Sequence, residues 1–162
     1  MELLSLNTIR LQAQAINKQD AIRQAGELLV EGGCVNPRYV DGMLAREEQM
    51  STYLGNGVAI PHGMYENLAD IDRSGISVLQ LPEGVEWETG QQTYLVIGIA
   101  ATSGEHVGIL SNLAEVVEDE DLVHQLSQTD DPMIILEELN RERSNDDDDD
   151  FDDDDFDDDD DF

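Results

Sequence analysis

Two of the three histidines in this chain, His62 and His106, stand where a functional side chain could be presented. His62 follows a short apolar run and lies between Pro61 and Gly63. Proline fixes the approach of the chain, and glycine leaves backbone N–H groups accessible to an anion. Loops at strand ends are where α/β sandwiches assemble their sites, so His62 is a candidate site residue. A purely structural loop histidine is the alternative.

His106 lies at the predicted start of a helix that follows an apolar strand. The positive end of the helix dipole favours a neutral imidazole, which can act as a nucleophile. Backbone N–H groups at such a terminus can also hold a phosphoryl oxygen. A half-buried capping residue is the other interpretation. Because His62 and His106 both follow predicted strands, the fold can bring them to one edge of the sheet.

The other candidate sites are weaker. His124 lies in a polar helical stretch and is interpreted as a solvated or partly packed helix residue. The histidines lack the short spacing of metal ligands, so we predict no metal site. Gly55 and Gly57 lack the third glycine of a dinucleotide loop, and no phosphate-binding loop or serine nucleophile motif is present. Cys34, the only cysteine, is interpreted as a small packed side chain. We therefore expect no cofactor.

The net charge divides the chain into two parts. The formal charge of all 162 residues is −30, but residues 146–162 contain only 14 Asp and 3 Phe. The remaining 145 residues carry 24 acidic and 8 basic side chains, a charge of −16. We predict one domain over residues 1–145 and a disordered acidic tail over residues 146–162. Such a polyanion is not expected to bind nucleic acid or anionic membranes.

The start of the chain and its hydropathy indicate a compartment. The opening residues lack the basic and then apolar pattern of a signal peptide. The longest apolar run, Tyr94 to Ala101, is far shorter than a membrane span. We therefore expect a soluble, cytoplasmic protein.

Five helices are predicted from caps and apolar spacing. The first runs from Lys18 to Glu31, with Asn17 as its cap and Gly32-Gly33 as its stop. The second follows Asn36-Pro37, in which proline takes the first helical position. The others begin near Glu105, surround Leu122 to Leu126, and follow Asp131-Pro132.

Alternating apolar runs predict the strands between these helices. Ser74 to Leu81 alternates and runs into Pro82-Glu83-Gly84, which predicts a strand that ends in a turn. Tyr94 to Ala101 is continuously apolar and rich in β-branched residues, as expected of a central strand covered on both faces. A shorter strand lies between Gly57 and Pro61. The elements alternate, which predicts an α/β fold: a three-layer α/β/α sandwich with a mixed, mostly parallel central sheet.

Several segments together resemble a known family. The run from Tyr53 to Gly63, Tyr-Leu-Gly-Asn-Gly-Val-Ala-Ile-Pro-His-Gly, is similar to the phosphorylation-site motif of enzyme IIA of the mannitol/fructose class. These proteins are carriers of the bacterial sugar phosphotransferase system. The resemblance covers about residues 3–140 and is nearest the mannitol-type branch. It extends to segments 32–40, 43–47, 81–85, 95–101 and 105–106.

The resemblance implies a mechanism and a set of residues. His62 matches the histidine that accepts a phosphoryl group from phospho-HPr and passes it to a cysteine of a IIB component. His106 matches the second active-site histidine, which steadies the phosphoryl oxygens. Arg46 matches an arginine that supplies positive charge beside them. A phosphoryl transfer of this kind needs positioning and charge stabilisation, so these residue types suit it. The sugar-transporting IIC part would lie in the membrane on another chain.

Three questions stay open at this point. Asn56 stands where mannitol-type sequences commonly have Glu, and fructose-like sequences also have Asn there, so the sugar is mannitol or a related one. The alternative function is a nitrogen-type regulatory module that signals its phosphorylation state to a protein partner. One ring nitrogen of His62 must be unprotonated while the other is held as N–H by an acceptor, which the sequence does not identify.

Overall fold

A computed structural model describes residues 4–101 and 103–140, with only the backbone described for Tyr65 and for residues 103–107. The predicted tail at 146–162 lies outside the described residues. The helices are α1 (Lys18–Glu31), α2 (Arg38–Gln49), α3 (Ser103–Glu118), α4 (Glu120–Gln128) and α5 (Pro132–Asn140). The strands are β1 (Ile9–Arg10), β2 (Tyr53–Gly55), β3 (Val58–Ala59), β4 (Gly75–Glu88) and β5 (Gln91–Ala100). Short 3₁₀ helices span Leu6–Thr8 and Tyr65–Asp70.

The five strands form one mixed sheet in the order β1-β4-β5-β3-β2. The β1/β4 and β3/β5 pairs are parallel, whereas the β4/β5 and β2/β3 pairs are antiparallel. The predicted α/β class with a mixed sheet is confirmed. Two strand pairs are thus parallel and two are antiparallel. One of the antiparallel pairs is the long hairpin of β4 and β5, which turns at Gly90, whose φ is +83°. β5 lies at the centre of the sheet, as its apolar sequence predicts.

Each face of the sheet carries its own core, because successive side chains of a strand point to opposite faces. On one face, Val78, Leu95 and Ile97 pack with residues of α3, α4 and α5. On the other face, Leu79 and Val96 pack with residues of α1 and α2. The predicted three-layer sandwich is therefore confirmed. Among the described residues, no helix combines the length and the apolarity needed to cross a bilayer.

The prediction that a strand ends at Leu81 is wrong, because β4 continues to Glu88. The register shifts between Gln80, which pairs with Leu95, and Val85, which pairs with Thr93. The segment 81–84 therefore forms a bulge, where proline can be accommodated without breaking the ladder. Gly84 has a φ of +81° within this bulge.

Candidate functional site

His62 lies at the carboxyl end of the central strand. β3 runs parallel to β5, and the chain beyond β3 continues along β5 until His62 bridges to Ile99. The Ile99 N–H donates to the Pro61 carbonyl oxygen at 3.0 Å and anchors the peptide that precedes His62. Because α3 begins just after β5 ends, the backbone brings the first turn of α3 to the same edge of the sheet. His106 lies in that turn, but its side chain lies outside the described residues.

The imidazole of His62 is oriented by its own loop. Its Nδ1 lies 2.9 Å from the carbonyl oxygen of Ile60. A carbonyl oxygen can only accept a hydrogen bond, so we assign the proton to Nδ1 and the lone pair to Nε2. This carbonyl is the acceptor that the sequence did not identify. The half-buried ring is thus held in the tautomer that leaves Nε2 able to attack.

Gly63 does not offer its N–H to an anion, contrary to the interpretation from sequence. That N–H donates to the hydroxyl of Tyr39 at 2.9 Å. A Cβ on Gly63 would lie 2.6 Å from a ring carbon of Tyr39, which is closer than such atoms approach. Glycine is therefore required here because an aromatic ring lies directly against the backbone.

Arg46 lies on the face of α2 that contacts the segment after His62. Gly42 and Gln49, four residues before and three after it, share this face. Gly42 packs against the side chain of Asn67, and Gln49 Nε2 lies 3.6 Å from Met64 Sδ. Arg46 therefore lies between two residues that contact the chain just beyond the histidine.

The charge of Arg46 is not neutralised by a carboxylate of the described chain. Its Nη1 donates to the Met50 carbonyl oxygen at 2.7 Å, at the end of its own helix. Among the described residues, the ion pairs within 4.0 Å involve Lys18 and Arg38, not Arg46. A guanidinium held only by a carbonyl keeps donors and charge for an anion.

A buried carboxylate, Glu47, holds the helix end beside Arg46. Glu47 is 5% exposed and accepts from the Thr52 N–H at 3.1 Å, the Thr52 hydroxyl at 2.5 Å and Trp87 Nε1 at 3.0 Å. Lys18 Nζ lies 3.5 Å from the same carboxylate and 2.6 Å from Glu88. Burial alone would lower the pKa of Lys18, but its hydrogen bond to Glu88 and the two carboxylate charges outweigh this, so the pKa is raised. The network joins α1, α2 and β4.

Sequence reasoning missed Tyr39, Asn67 and Glu47. Only Glu47 leaves a signal in the sequence, because it falls on the buried stripe of α2 four residues after Met43. A charged residue on such a stripe needs partners. Tyr39 contacts distant backbone, and Asn67 packs against the distant Gly42, and no local pattern indicates either contact.

Two residues weighed in the sequence lie away from this site. His124 is exposed on α4, as expected of a solvated helix residue. Asn56 and Gly57 have φ of +51° and +86° and form the tight turn between β2 and β3. Asn56 Nδ2 donates to the Val117 carbonyl oxygen at 2.7 Å.

Asn56 and His62 lie toward opposite ends of β5. The Gly57 carbonyl accepts from the Tyr94 N–H, whereas His62 pairs with Ile99. At a strand rise of about 3.3 Å per residue, these points on β5 are roughly 16 Å apart. Asn56 is thus a turn residue rather than part of the site.

No metal site is evident in the part of the chain that the structure describes. No three His, Cys, Asp or Glu side chains there are placed to hold a metal ion. The described site consists of one oriented imidazole, one unneutralised guanidinium and a helix start at the same sheet edge. Such a set can present a nucleophilic nitrogen to an electrophile that carries negative charge.

Comparison with known proteins gives a family and a set of relatives. Residues 2–142 match the family model described as "Phosphoenolpyruvate-dependent sugar phosphotransferase system, EIIA 2". The mannitol-specific phosphotransferase enzyme IIA component of Bacillus subtilis is 38% identical over 143 residues, which are 86% of this chain and 100% of that protein. A multiphosphoryl transfer protein of Xanthomonas campestris is 49% identical over 136 residues, which are 84% of this chain. The chain spans 16% to 33% of the length of the multiphosphoryl transfer proteins that it matches.

A solved structure shows the same fold. It is the complex of enzyme IIA for mannitol with phosphorylated enzyme IIB from Escherichia coli. The superposition has a TM-score of 0.78 at 40% sequence identity, and it covers 85% of this chain and 98% of that one.

Proposed function

The chain belongs to the EIIA 2 family of the phosphoenolpyruvate-dependent sugar phosphotransferase system, and from this premise we propose that it is a phosphocarrier that uses His62. His62 accepts a phosphoryl group from phospho-HPr and passes it to a cysteine of a IIB component. The sugar is mannitol or a related sugar, and a IIC component on another chain carries it across the membrane. The transfer takes place in the cytoplasm, where phosphoenolpyruvate is made.

The hydrogen bond from His62 Nδ1 to the Ile60 carbonyl carries this proposal. It leaves the lone pair of Nε2 to attack phosphorus, so the P–N bond to the HPr histidine breaks as a P–N bond to Nε2 forms. In the second transfer, the P–Nε2 bond breaks as the thiolate of the acceptor cysteine forms a P–S bond, and the bonding pair returns to Nε2. No proton has to leave Nδ1 in either step, because the ring nitrogen that holds it does not react.

Charge beside the reacting group comes from two residues. Arg46 exchanges its hydrogen bond to the Met50 carbonyl for phosphoryl oxygens, which are the stronger acceptors. His106, at the start of α3, donates to the same oxygens. Both interactions are strongest where negative charge accumulates during transfer, which is how they would lower the barrier.

The donor half is tested by incubating the chain with phosphoenolpyruvate, enzyme I and HPr. We expect an acid-labile, base-stable phosphate that ³¹P–¹⁵N NMR assigns to Nε2 of His62. His62→Ala should not be labelled, and His124→Ala, an exposed histidine variant, should be labelled as the wild type is. Full labelling of His62→Ala would overturn the proposal.

The acceptor half is tested separately. The phosphorylated chain is mixed with a purified mannitol IIB component, and transfer of the label to the IIB cysteine supports a role in sugar uptake. If His62 is phosphorylated but no IIB component accepts the label, the sugar-transport role fails and the regulatory alternative is favoured.

A further inference from the structure

Tyr39 places a single hydroxyl oxygen at the junction between the His62 loop and the central strand. The residue belongs to the first turn of α2 and is 3% exposed. Its hydroxyl donates to the Ile99 carbonyl oxygen at 2.8 Å and accepts from the Gly63 N–H at 2.9 Å. These partners belong to the residue that pairs with His62 and to the residue that follows it.

The Tyr39 hydroxyl bridges two backbone groups that a parallel β-bridge would join by a hydrogen bond. A parallel bridge between His62 and Ile99 has two backbone hydrogen bonds. One runs from the Ile99 N–H to the Pro61 carbonyl, at 3.0 Å, and the other pairs the Gly63 N–H with the Ile99 carbonyl. The Tyr39 hydroxyl accepts from this Gly63 N–H and donates to this Ile99 carbonyl, so a side chain links the two groups.

The peptides on both sides of His62 are therefore fixed to β5. The preceding peptide is held directly through the Pro61 carbonyl, and the following peptide donates its N–H to the Tyr39 hydroxyl. Since these two peptides set the backbone angles of His62, they also set the direction in which its side chain leaves the chain. That direction allows Nδ1 to reach the Ile60 carbonyl.

We infer that Tyr39 is a positioning residue for phosphoryl transfer: its hydroxyl fixes the peptide after His62 and so keeps the ring in the tautomer that carries its proton on Nδ1 and its lone pair on Nε2. The inference rests on the proposed function of His62. Burial raises the pKa of Tyr39 more than the Gly63 hydrogen bond lowers it. The hydroxyl therefore keeps its proton at neutral pH and can donate to Ile99.

Tyr53 provides a matched control. Its hydroxyl also accepts from a glycine, the Gly57 N–H at 3.1 Å, and donates to the Gln92 carbonyl at 3.4 Å. This second bridge holds the opposite end of β3. Tyr39→Phe and Tyr53→Phe therefore each remove a hydroxyl that bridges β5 and the segment 57–63, but only the first removal is next to His62.

The first measurement is the rate of transfer from phospho-HPr to His62. We expect Tyr39→Phe to slow it between about 10-fold and 100-fold, because the attacking atom is displaced. Tyr53→Phe should transfer at the wild-type rate, although it lowers the unfolding midpoint as Tyr39→Phe does. Equal rates for the two variants would overturn the inference.

The second measurement, ¹⁵N NMR of the unphosphorylated imidazole, does not depend on transfer. In the wild type and in Tyr53→Phe, His62 should show a protonated Nδ1 and an unprotonated Nε2 near pH 8. In Tyr39→Phe the shifts should move toward a mixture of tautomers, and unchanged shifts would overturn the inference. If the wild type accepts no phosphate, the proposed function fails, and this spectrum still decides whether Tyr39 positions the ring.

Gly63→Ala gives an independent approach if Tyr39→Phe folds poorly. The new Cβ would press on the Tyr39 ring and move the hydroxyl without removing it. We expect the same mixture of tautomers, and a His62 spectrum identical to the wild type would contradict the inference.

Discussion

The carboxamide of Asn67 occupies the space that a side chain on Gly42 would need, because a Cβ there would overlap Asn67 Oδ1. The same oxygen accepts from the Met64 N–H at 2.8 Å and begins the 3₁₀ helix that follows the histidine loop. The absence of a side chain at one position of α2 thus allows the segment after His62 to lie against that helix.

Gly42→Ala is predicted to impair transfer more than stability. Alanine gains about 1 kcal/mol of helix propensity, which offsets the lost hydrogen bond between Asn67 and Met64. The displaced segment should slow phosphoryl transfer to His62 by roughly 10-fold. Urea unfolding and the transfer rate, measured on the same preparation, separate the two effects.

Gly108→Ala is the control, because a Cβ at this exposed helix position meets no atom within 4 Å. It should raise the free energy of unfolding by about 0.5–1 kcal/mol. A wild-type transfer rate in Gly42→Ala would contradict the packing argument.

Local sequence was sufficient where a helix or strand is specified by its own residues. The helix α1 has the predicted bounds, since Asn17 Oδ1 accepts from the Asp20 N–H and Gly33 takes a φ of +78° at its end. The apolar run that predicted a central strand forms β5. In both cases the deciding interactions lie within a few residues of one another.

Sequence was insufficient where the partner is distant in the chain. Pro82 and Gly84 predicted a turn, but pairing with β5 continues past them and converts the turn into a bulge. The relay through Tyr39 joins residues 24 and 60 positions away. No pattern within a short window encodes such a contact, although a resemblance to a family can locate the histidine itself.

Arg46→Gln is predicted to slow transfer to His62 by about 100-fold, because a neutral amide cannot stabilise the charge that develops on the phosphoryl oxygens. Arg46→Lys should recover part of the rate, since it restores the charge without the planar donors. Rapid-quench measurement of the transfer from phospho-HPr gives these rates directly.

Arg38→Gln is the matched control on the same helix. Arg38 is mostly exposed and pairs with Asp70 at 3.3 Å, so its loss should leave the transfer rate unchanged. If Arg38→Gln and Arg46→Gln slow transfer equally, the effect comes from the overall charge, and Arg46 has no specific role beside the phosphoryl group.

Glu47→Gln is predicted to lower the free energy of unfolding by about 2–4 kcal/mol. The amide NH₂ would face the Trp87 or Thr52 donors, and Lys18 would lose one of its two carboxylate partners. Glu48→Gln, the exposed neighbour, should change stability by less than about 0.5 kcal/mol. Urea denaturation of the two variants tests this, and equal stabilities would show that the buried network contributes nothing.

Asn56 should affect stability and leave transfer intact. Asn56→Ala keeps the left-handed conformation, which alanine tolerates less well than asparagine, and removes the hydrogen bond to Val117, at a cost of about 1–2 kcal/mol. Asn56→Gly restores the conformational freedom but not the hydrogen bond, so it should cost less. A lower transfer rate in either variant would show that Asn56 affects the reaction at His62 and would contradict this prediction.

Stability above pH 9 is predicted to depend on Cys34, which is 1% exposed. Burial raises the pKa of this thiol above its ordinary 9.0, more than the charge of Arg73 lowers it. Between the unfolded and the folded pKa the native chain binds more protons than the unfolded chain, so the free energy of unfolding falls as pH rises. Below pH 9 this contribution is fully present.

Cys34→Ala and Cys34→Ser should both delay the alkaline decline to about pH 10, where Tyr39 begins to titrate in the unfolded chain. The test is the slope of the free energy of unfolding against pH. Each substitution also changes packing, but that cost does not vary with pH and therefore leaves the slope unchanged. A slope between pH 9 and 10 that is the same in wild type and both variants would show that the thiol is not linked to folding.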